Sequence, residues 1–169
     1  MKVFLIGFMG SGKSAAGKLL AQRLGCGFVD TDHLITKKSG MDIQAIFNKQ
    51  GEKAFRDAEH MALQEIVKMP DPFVIATGGG LPCTEENMKL MKQCGQIVYL
   101  KRSPDELYEL LKSETHQRPL LAQSTDLRAT INQLLSLREP FYNQANYVVD
   151  IAIGETVEQV VERVVNALT

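Results

Sequence analysis

Eight residues close to the start of the chain form a glycine-rich motif that strongly limits how the chain can fold. Residues 7–14 read Gly-Phe-Met-Gly-Ser-Gly-Lys-Ser and match the pattern G-x-x-x-x-G-K-[S/T]. The apolar run at residues 3–6 predicts a short buried strand before the motif. Residues 15–24 predict a helix after it, with Leu20 and Leu24 repeating on one apolar face. This context predicts a loop whose backbone N–H groups, with the helix N-terminus, hold the phosphates of a nucleotide.

Two side chains of this loop have separate expected roles. Lys13 can reach the β- and γ-phosphates, and the Ser14 hydroxyl can ligate Mg²⁺. A chance glycine-rich turn is the alternative interpretation. The strand before the motif and the helix after it favour the nucleotide interpretation, because a chance match has no need of either.

Length, composition and charge narrow the class of protein. The chain has 169 residues, of which 44% are hydrophobic and 23% charged, as expected for one globular domain. Its net charge of −1 and lack of a long basic run argue against nucleic acid as a partner. The three cysteines, Cys26, Cys83 and Cys94, form no C-x-x-C pair, which favours a reduced, cytoplasmic chain over a disulfide framework or a zinc site. The apolar start is too short to span a membrane and is expected to be a core strand.

Short apolar runs alternate with helical patterns along the chain, which indicates parallel strands joined by helices. Strands are expected at residues 3–6, 26–29, 73–76, 96–100 and 147–150. Helices are expected at residues 15–24, 42–68 with a break at Gly51, 84–94, from 103 onward, from 124 or 125 to about 143, and 155–168. The prediction is an α/β three-layer sandwich in which a five-stranded parallel sheet carries helices on both faces. Residues 113–124 have no periodicity and are expected to form a mobile cover, or lid, over the site.

Two acids, Asp30 and Asp32, follow the second predicted strand at the carboxyl edge of the sheet, where ligands bind in open α/β folds. Phosphoryl transfer requires a carboxylate that orients the accepting hydroxyl and takes its proton. Asp32 is the candidate for this role, and Asp30 is the candidate for a Mg²⁺ ligand acting through water. The alternative is that both acids cap the helix that follows. The nearby phosphate loop favours the functional interpretation.

Three consecutive glycines, Gly78, Gly79 and Gly80, follow the third predicted strand. Glycine in such a position indicates that another group approaches the backbone closely. Their N–H groups can contact an anionic substrate, whereas a flexible turn is the simpler alternative.

Three arginines are candidates for binding anions. Arg56 can hold a planar carboxylate with its two parallel donors, or it can form an exposed ion pair with Glu59 three residues later. Arg138 has the same ambiguity because an acid follows it directly. Arg118 lies in the aperiodic segment, where no packing need explains it, and a lid arginine that closes on phosphates is one physical explanation.

Taken together, these motifs resemble those of the shikimate kinase family, and the likeness runs from residue 1 to about residue 165. Beyond the phosphate loop it is carried by Asp-x-Asp at 30–32, Phe-Arg at 55–56, the triple glycine at 78–80, Arg-Pro-Leu-Leu at 118–121 and Arg-x-Pro-x-Tyr at 138–142. The phosphate loop alone is widespread, whereas this order and spacing of motifs is highly specific. The resemblance implies the P-loop kinase fold of the nucleoside monophosphate kinases. It also implies ATP-dependent phosphorylation of the 3-hydroxyl of shikimate, a step of aromatic amino-acid biosynthesis.

The resemblance also implies a role for individual residues of the acceptor site. Asp32 would hold the ring hydroxyls, including the one that is phosphorylated. Arg56 and Arg138 would clamp the shikimate carboxylate. Gly79 would contribute a backbone contact from within the triple glycine, where Gly78 and Gly80 complete the substrate-binding set.

On the nucleotide side, the resemblance implies that six consecutive residues wrap the phosphates of ATP: Gly10, Ser11, Gly12, Lys13, Ser14 and Ala15. Ser14 would ligate Mg²⁺, and Arg118 would be the lid arginine, so that Lys13, Asp32 and Arg118 form the catalytic set. Ala15 stands where the family usually has threonine or serine. We expect a slightly weaker hold on the nucleotide, since the backbone donors of the loop remain.

Two other functions compete with this interpretation. One is another small-molecule kinase of the same fold, of the gluconate kinase type. The other is a non-catalytic relative that binds nucleotide and serves as an interaction module. The set that separates the three is Lys13, Asp32, Arg56 and Arg138, and a degenerate relative would be expected to lack at least one of them. The expected partner is a small-molecule substrate alone, without nucleic acid or membrane, and a monomer is the expected state.

Overall fold

The computed structural model describes residues 1–169 and is built on one sheet of five parallel strands in the order β2-β3-β1-β4-β5. The strands are β1 (Lys2–Ile6), β2 (Gly27–Asp30), β3 (Phe73–Ala76), β4 (Gly95–Lys101) and β5 (Tyr147–Asp150). The helices are α1 (Lys13–Leu24), α2 (Thr31–Ser39), α3 (Ile43–Val67), α4 (Glu85–Cys94), α5 (Pro104–Leu111), α6 (Leu127–Tyr142) and α7 (Val157–Leu168), with a 3₁₀ turn at Thr115–Gln117. None of these helices combines the length and the apolar character that a membrane crossing requires.

Two hydrophobic cores lie on opposite faces of the sheet, so the predicted three-layer arrangement is confirmed. Because side chains alternate along a strand, Phe4 and Ile6 of β1 enter one core while Val3 and Leu5 enter the other. The first core is completed by side chains of α3, α4, α5 and α6. The second is completed by side chains of α1 and α7, including the valine face of α7 that its spacing predicts.

The position of β1 in the sheet decides where the site can form. β1 is buried along its whole length and pairs with β3 on one side and with β4 on the other. In a parallel sheet the carboxyl ends of neighbouring strands lie at one edge. The loop after β1 is therefore flanked by the segments that follow β3 and β4.

Helix α3 is interrupted at the glycine that the sequence marks as a break. Gly51 has φ 88°, a left-handed conformation inside an otherwise helical run. The chain continues as helix on both sides of this residue. The part after the break carries Phe55, Ala62 and Ile66 into the interior, as their spacing predicts.

The prediction that Leu24 shares the buried apolar face of α1 with Leu20 is wrong. Leu20 is fully buried, but Leu24 is 42% exposed. Leu24 is the last residue of the helix, and Gly25 (φ 65°) turns the chain immediately after it. A regular i, i+4 spacing therefore places two leucines on one face without ensuring that the packed surface extends under both.

Two helices begin slightly later than the sequence suggests, because a better capping residue lies downstream. α6 starts after Asp126, whose carboxylate accepts a hydrogen bond from the N–H of Ala129, instead of after residue 124 or 125. α7 starts after Thr156, whose side chain forms a reciprocal capping box with Gln159.

The aperiodic segment at residues 113–124 contains only the short 3₁₀ turn and otherwise consists of turns and bends. It lies against the first turn of α3, where the side-chain amide of Gln44 donates to the carbonyl oxygen of His116 at 3.1 Å. Its expected mobility stays a prediction.

The contrast between the two leucines of α1 gives a direct test of the packing. Leu20→Ala should lower the free energy of unfolding by about 2–5 kcal/mol, because it leaves a cavity in a closed core. Leu24→Ala should lower it by about 0.5 kcal/mol or less, since the side chain is already in contact with water. Urea denaturation followed by circular dichroism measures both. Equal losses would mean that Leu24 is packed as its sequence spacing suggests.

Candidate active site

A cleft of about 350 Å³ opens at the carboxyl edge of the sheet, a volume within the usual range for a small-molecule site. Every predicted site residue except Ser11 lines this cleft. Ser11 is only 1% exposed and lies within the phosphate loop itself. Six separate stretches of the chain thus contribute to one cleft.

The phosphate loop leaves a row of backbone donors without partners. Gly10 and Gly12 adopt positive φ values of 79° and 90°, which lets the loop curl before α1 begins. The N–H groups of five residues donate to no other backbone group: Gly10, Gly12, Lys13, Ser14 and Ala15. Unpaired N–H groups at a helix N-terminus form a binding site for an anion.

Lys13 is folded into the loop, where it is only 8% exposed. Its ammonium group donates to the carbonyl oxygens of Gly7 at 2.7 Å and Phe8 at 2.9 Å. Burial lowers the pKa of Lys13 to about 7, although the negative charge of Asp32 opposes the shift. A phosphate bound at the loop would add negative charge and raise this pKa again.

Asp30 uses its two carboxylate oxygens for different purposes. One oxygen accepts hydrogen bonds from the backbone N–H groups of Asp32 and His33 and so caps α2. The other accepts a hydrogen bond of 2.5 Å from the Ser14 hydroxyl. The capping alternative is therefore correct for Asp30, but it does not exclude a ligand role, since the second oxygen lies beside Ser14.

Asp32 does not act as a cap. It lies in the first turn of α2, and its Oδ1 atom is buried without a hydrogen-bond partner. Burial, followed by the nearby charge of Asp30, raises the pKa of Asp32. A buried acceptor with unused hydrogen-bonding capacity is unusual in a folded protein and indicates a ligand-facing group.

Arg56 forms the ion pair that its spacing from Glu59 suggests, but this pair is not the exposed one of the simpler alternative. Arg56 donates to Glu59 at 2.5 Å, and Glu59 is 1% exposed. Burial raises the pKa of Glu59 to about 7, against the opposing effect of the Arg56 charge. Glu52 lies 3.4 Å from the other terminal nitrogen of Arg56. The guanidinium group is thereby held at the wall of the cleft.

Arg138 is 6% exposed, and its Nη1 atom has no hydrogen-bond partner. Its guanidinium carbon lies 5.4 Å from the ring centre of Phe8, close enough for a cation–π contact. The neighbouring Glu139 does not pair with it and instead lies 4.0 Å from Lys101. Arg138 is therefore a buried cation at the lining of the cleft, and its unused Nη1 donor lies beside Gly79.

The triple glycine is held in place and is not a flexible turn. The Gly78 N–H donates to the Thr31 hydroxyl at 2.8 Å, and the Tyr142 hydroxyl donates to the Gly79 carbonyl at 2.6 Å. Thr31 and Tyr142 are themselves fully buried. None of the three glycines has a positive φ, so left-handed conformation does not explain their presence.

What the triple glycine provides is space. A β-carbon on Gly78 would lie 2.8 Å from Asp32 Oδ1 and 2.8 Å from Glu59 Oε2. A β-carbon on Gly79 would lie 2.9 Å from Arg138 Nη1, and one on Gly80 would overlap the Arg56 guanidinium. The expected close approach to the backbone is thus made by the polar side chains of the site.

Arg118 lines the same cleft from the aperiodic segment, and it pairs with Glu114 at 3.3 Å. Its side chain is 36% exposed, far more than that of Arg138. The structure brings Arg118 to the site, and its movement onto phosphates stays a prediction.

Two residues of the site have roles that reasoning from residue chemistry missed. The burial of Glu59 has a weak signal in the apolar neighbours Phe55 and Ala62, which lie on the same helix. For Tyr142 the signal is its place in the Arg-x-Pro-x-Tyr motif, which does not reveal the contact with Gly79 because the two residues are far apart in sequence.

No group of three or more histidine, cysteine, aspartate or glutamate side chains is arranged to hold a metal ion. The three cysteines are free thiols. Oxygen ligands for a cation are nevertheless present where Ser14 meets Asp30.

Comparisons with known proteins agree with this geometry. The sequence model of the family described as "Shikimate kinase" matches residues 9–169. A shikimate kinase of Thermodesulfovibrio yellowstonii is 44% identical over 96% of this chain and 92% of its own length. A solved structure of the Acinetobacter baumannii shikimate kinase in complex with shikimate superposes with a TM-score of 0.93, at 33% identity, over 99% of this chain and 92% of that one.

A gluconokinase structure from Sinorhizobium meliloti resembles this chain less closely than the shikimate kinase structure does. It covers 99% of this chain and 90% of its own at a TM-score of 0.62, but it is only 16% identical, so it shares the fold alone. The family match and the identity to the Thermodesulfovibrio protein confirm the resemblance inferred from the motifs, and the chain belongs to the shikimate kinase family.

Proposed function

We propose that this protein transfers the γ-phosphoryl group of ATP to the 3-hydroxyl of shikimate, giving shikimate 3-phosphate and ADP in aromatic amino-acid biosynthesis. Family membership supports the reaction. The observation that carries it is the pairing, in one cleft, of unused backbone donors at the phosphate loop with the unused Asp32 Oδ1 and Arg138 Nη1 atoms. The first set suits a polyphosphate, and the second suits a small molecule that carries a hydroxyl and a carboxylate.

On the nucleotide side, the unpaired N–H groups from Gly10 to Ala15 receive the phosphates of ATP. The Lys13 ammonium exchanges its present carbonyl partners for phosphate oxygens. Ala15 supplies only its N–H group, because it has no hydroxyl.

The Ser14 hydroxyl and the Asp30 carboxylate fit a Mg²⁺ ion. Both are oxygen ligands, they lie side by side at the mouth of the phosphate loop, and Asp30 keeps one oxygen directed toward Ser14. Mg²⁺ commonly retains several waters and uses one or two protein oxygens together with substrate phosphates, so no larger cluster is required. We propose that Ser14 binds the ion directly and Asp30 through water. The ion would supply positive charge that neutralises the transferring phosphate oxygens.

On the acceptor side, Arg56 and Arg138 bind the shikimate carboxylate, with a backbone contact from the triple glycine. Asp32 accepts a hydrogen bond from the 3-hydroxyl and takes its proton while the oxygen forms a bond to the γ-phosphorus and the bond to ADP breaks. The raised pKa of Asp32 makes it a stronger base than an ordinary aspartate. Arg118 adds positive charge near the phosphates when its segment closes.

We further propose that residues 31–60 form the substrate-binding segment and residues 113–124 the lid of a single domain. The expectation of a monomer that needs no nucleic acid is also part of this proposal. The free thiols of Cys26, Cys83 and Cys94 support a reducing compartment, the cytoplasm.

The two competing functions have less support. A gluconate kinase has no evident use for a buried and a half-buried arginine beside a triple glycine, and the similarity to a gluconokinase is confined to the fold. A non-catalytic relative is disfavoured because Lys13, Asp32, Arg56 and Arg138 are all present and all line the cleft.

The substrate assignment predicts that ADP appears from ATP and Mg²⁺ only when shikimate is present. Gluconate and nucleoside monophosphates should give no release above background. A coupled assay for ADP measures this. Release at the same rate without shikimate would refute the assignment.

The role of Asp32 predicts that Asp32→Asn abolishes turnover, because the amide cannot take the proton, while ATP binding stays nearly intact. General-base removal typically costs about 10²–10⁴-fold in rate. Steady-state kinetics and calorimetric titration with ATP measure the two effects. A variant with normal turnover would eliminate Asp32 as the proton acceptor.

The carboxylate clamp predicts that Arg56→Ala raises the KM for shikimate by roughly 10–100-fold, since charged hydrogen bonds contribute about 1.5–3 kcal/mol. The KM for ATP should change much less. Lys53→Ala is the matched control, because Lys53 lies on the same helix in an exposed ion pair with Asp57. An unaltered KM for shikimate in Arg56→Ala would contradict the clamp.

A further inference from the structure

We propose that Arg102, held by Glu106, is a positioning residue for nucleotide binding that fixes the phosphate loop from the side opposite the acceptor site. Arg102 acts through the backbone of the loop and does not itself bind phosphate. This inference rests on the proposed function only in requiring that the loop binds a nucleotide, and it is independent of the identity of the acceptor.

Arg102 follows the carboxyl end of β4 and lies directly against the loop. Its Nε–H group donates to the carbonyl oxygen of Ser11 at 3.2 Å. Its Nη1 group forms an ion pair with Glu106, in the first turn of α5. The side chains of Arg102 and Glu106 are only 17% and 10% exposed. This is a largely buried ion pair with a hydrogen bond to the loop, unlike the exposed pairs elsewhere on the surface.

The hydrogen bond to Ser11 determines where the next N–H group points. In a planar trans peptide, the carbonyl of one residue and the N–H of the following residue point in opposite directions. Because Arg102 holds the Ser11 carbonyl on its own side of the loop, the Gly12 N–H is directed to the other side. This N–H is one of the unpaired donors of the loop. Arg102 therefore orients a phosphate donor without touching the phosphate.

The residues on either side of Ser11 do little to fix the orientation of its carbonyl group. Ser11 lies between Gly10 and Gly12, both at positive φ, and glycine restricts its own backbone less than any other residue. The loop is supported on the same side by the rest of the β4–α5 unit. A β-carbon on Gly10 would lie 2.9 Å from the Leu111 side chain at the end of α5. Arg102 adds a hydrogen bond to this packing, and the bond restrains rotation of the peptide between Ser11 and Gly12.

Glu106 argues against a direct phosphate contact by Arg102. The guanidinium charge is already compensated by a buried carboxylate four residues later, so the pair offers little net positive charge to a polyanion. Arg118, the proposed lid arginine, also pairs with an acid, but its partner Glu114 is 42% exposed and can be released more easily than the largely buried Glu106. The ion pair instead keeps the Arg102 side chain in one orientation, which suits a group that holds a peptide.

The test measures direct binding of ADP by calorimetry, together with steady-state kinetics, for Arg102→Ala and Glu106→Gln. Arg102→Ala should weaken ADP binding and raise the KM for ATP by about tenfold, as expected for the loss of one hydrogen bond from a charged donor. The KM for shikimate should not change, because the acceptor site lies on the far side of the loop. Glu106→Gln should weaken ADP binding by a smaller factor, about threefold, because Arg102 loses its anchor but keeps its donors.

Arg128→Ala is the matched control. Arg128 also pairs with an acid of the first turn of α5, Asp105, but this pair is exposed and makes no hydrogen bond to the loop. It should bind ADP with normal affinity, and a loss equal to that of Arg102→Ala would mean that loosening α5 is the whole effect.

Besides an equal loss in the Arg128→Ala control, three results would overturn the inference, and each can be told apart from failure of the proposed function. Normal ADP affinity in Arg102→Ala would remove the positioning role. Tighter ADP binding by Glu106→Gln would show that Arg102 is a phosphate ligand that Glu106 restrains. An equal rise of both KM values in Arg102→Ala would indicate general damage to the structure. Nucleotide binding without shikimate turnover in the unaltered protein would refute the acceptor assignment and leave this test valid.

Discussion

The acceptor half of the cleft depends on a strip of backbone that has no side chains. Four long polar side chains converge on the α-carbons of Gly78–Gly80: Asp32, Arg56, Glu59 and Arg138. They come from α2, α3 and α6, so three helices use the same free volume above the end of β3. A β-carbon on any of these three glycines would come within 3 Å of at least one charged side chain and would force that side chain to move. The three glycines are therefore a packing requirement of the site, more than a source of backbone freedom.

The same convergence concentrates charge in a place with little water. Burying a charged group costs free energy unless hydrogen bonds or an opposite charge compensate for it. Arg56 and Glu59 compensate each other's charge, yet Glu59 Oε2, Asp32 Oδ1 and Arg138 Nη1 are each buried without a hydrogen-bond partner. Folding therefore leaves hydrogen-bonding capacity that a hydroxyl and a carboxylate of a ligand can use. Such preorganisation lowers the cost of ordering the site when the ligand binds.

Much of this structure could be predicted from the sequence because the signals are local. The strand–loop–helix at the phosphate loop, the alternation that gives five parallel strands and the break at Gly51 each follow from spacing within a short window. The exposure of Leu24, the burial of Glu59 and the contact of Arg102 with Ser11 did not follow, because each depends on what a distant part of the chain covers. The motifs placed the site residues at one edge of the sheet, and their individual roles stay predictions.

The strand order also has a consequence for how the molecule folds. β1 occupies the centre of the sheet, yet it pairs with strands that begin only at residues 73 and 95. Contacts between residues so far apart in sequence close large loops, and this slows folding. The phosphate loop is flanked on both sides only after β1 has paired with both β3 and β4. We therefore expect its N–H groups to become ordered late in folding. Nucleotide affinity should therefore arise together with the native sheet, which would make nucleotide binding a sensitive reporter of complete folding.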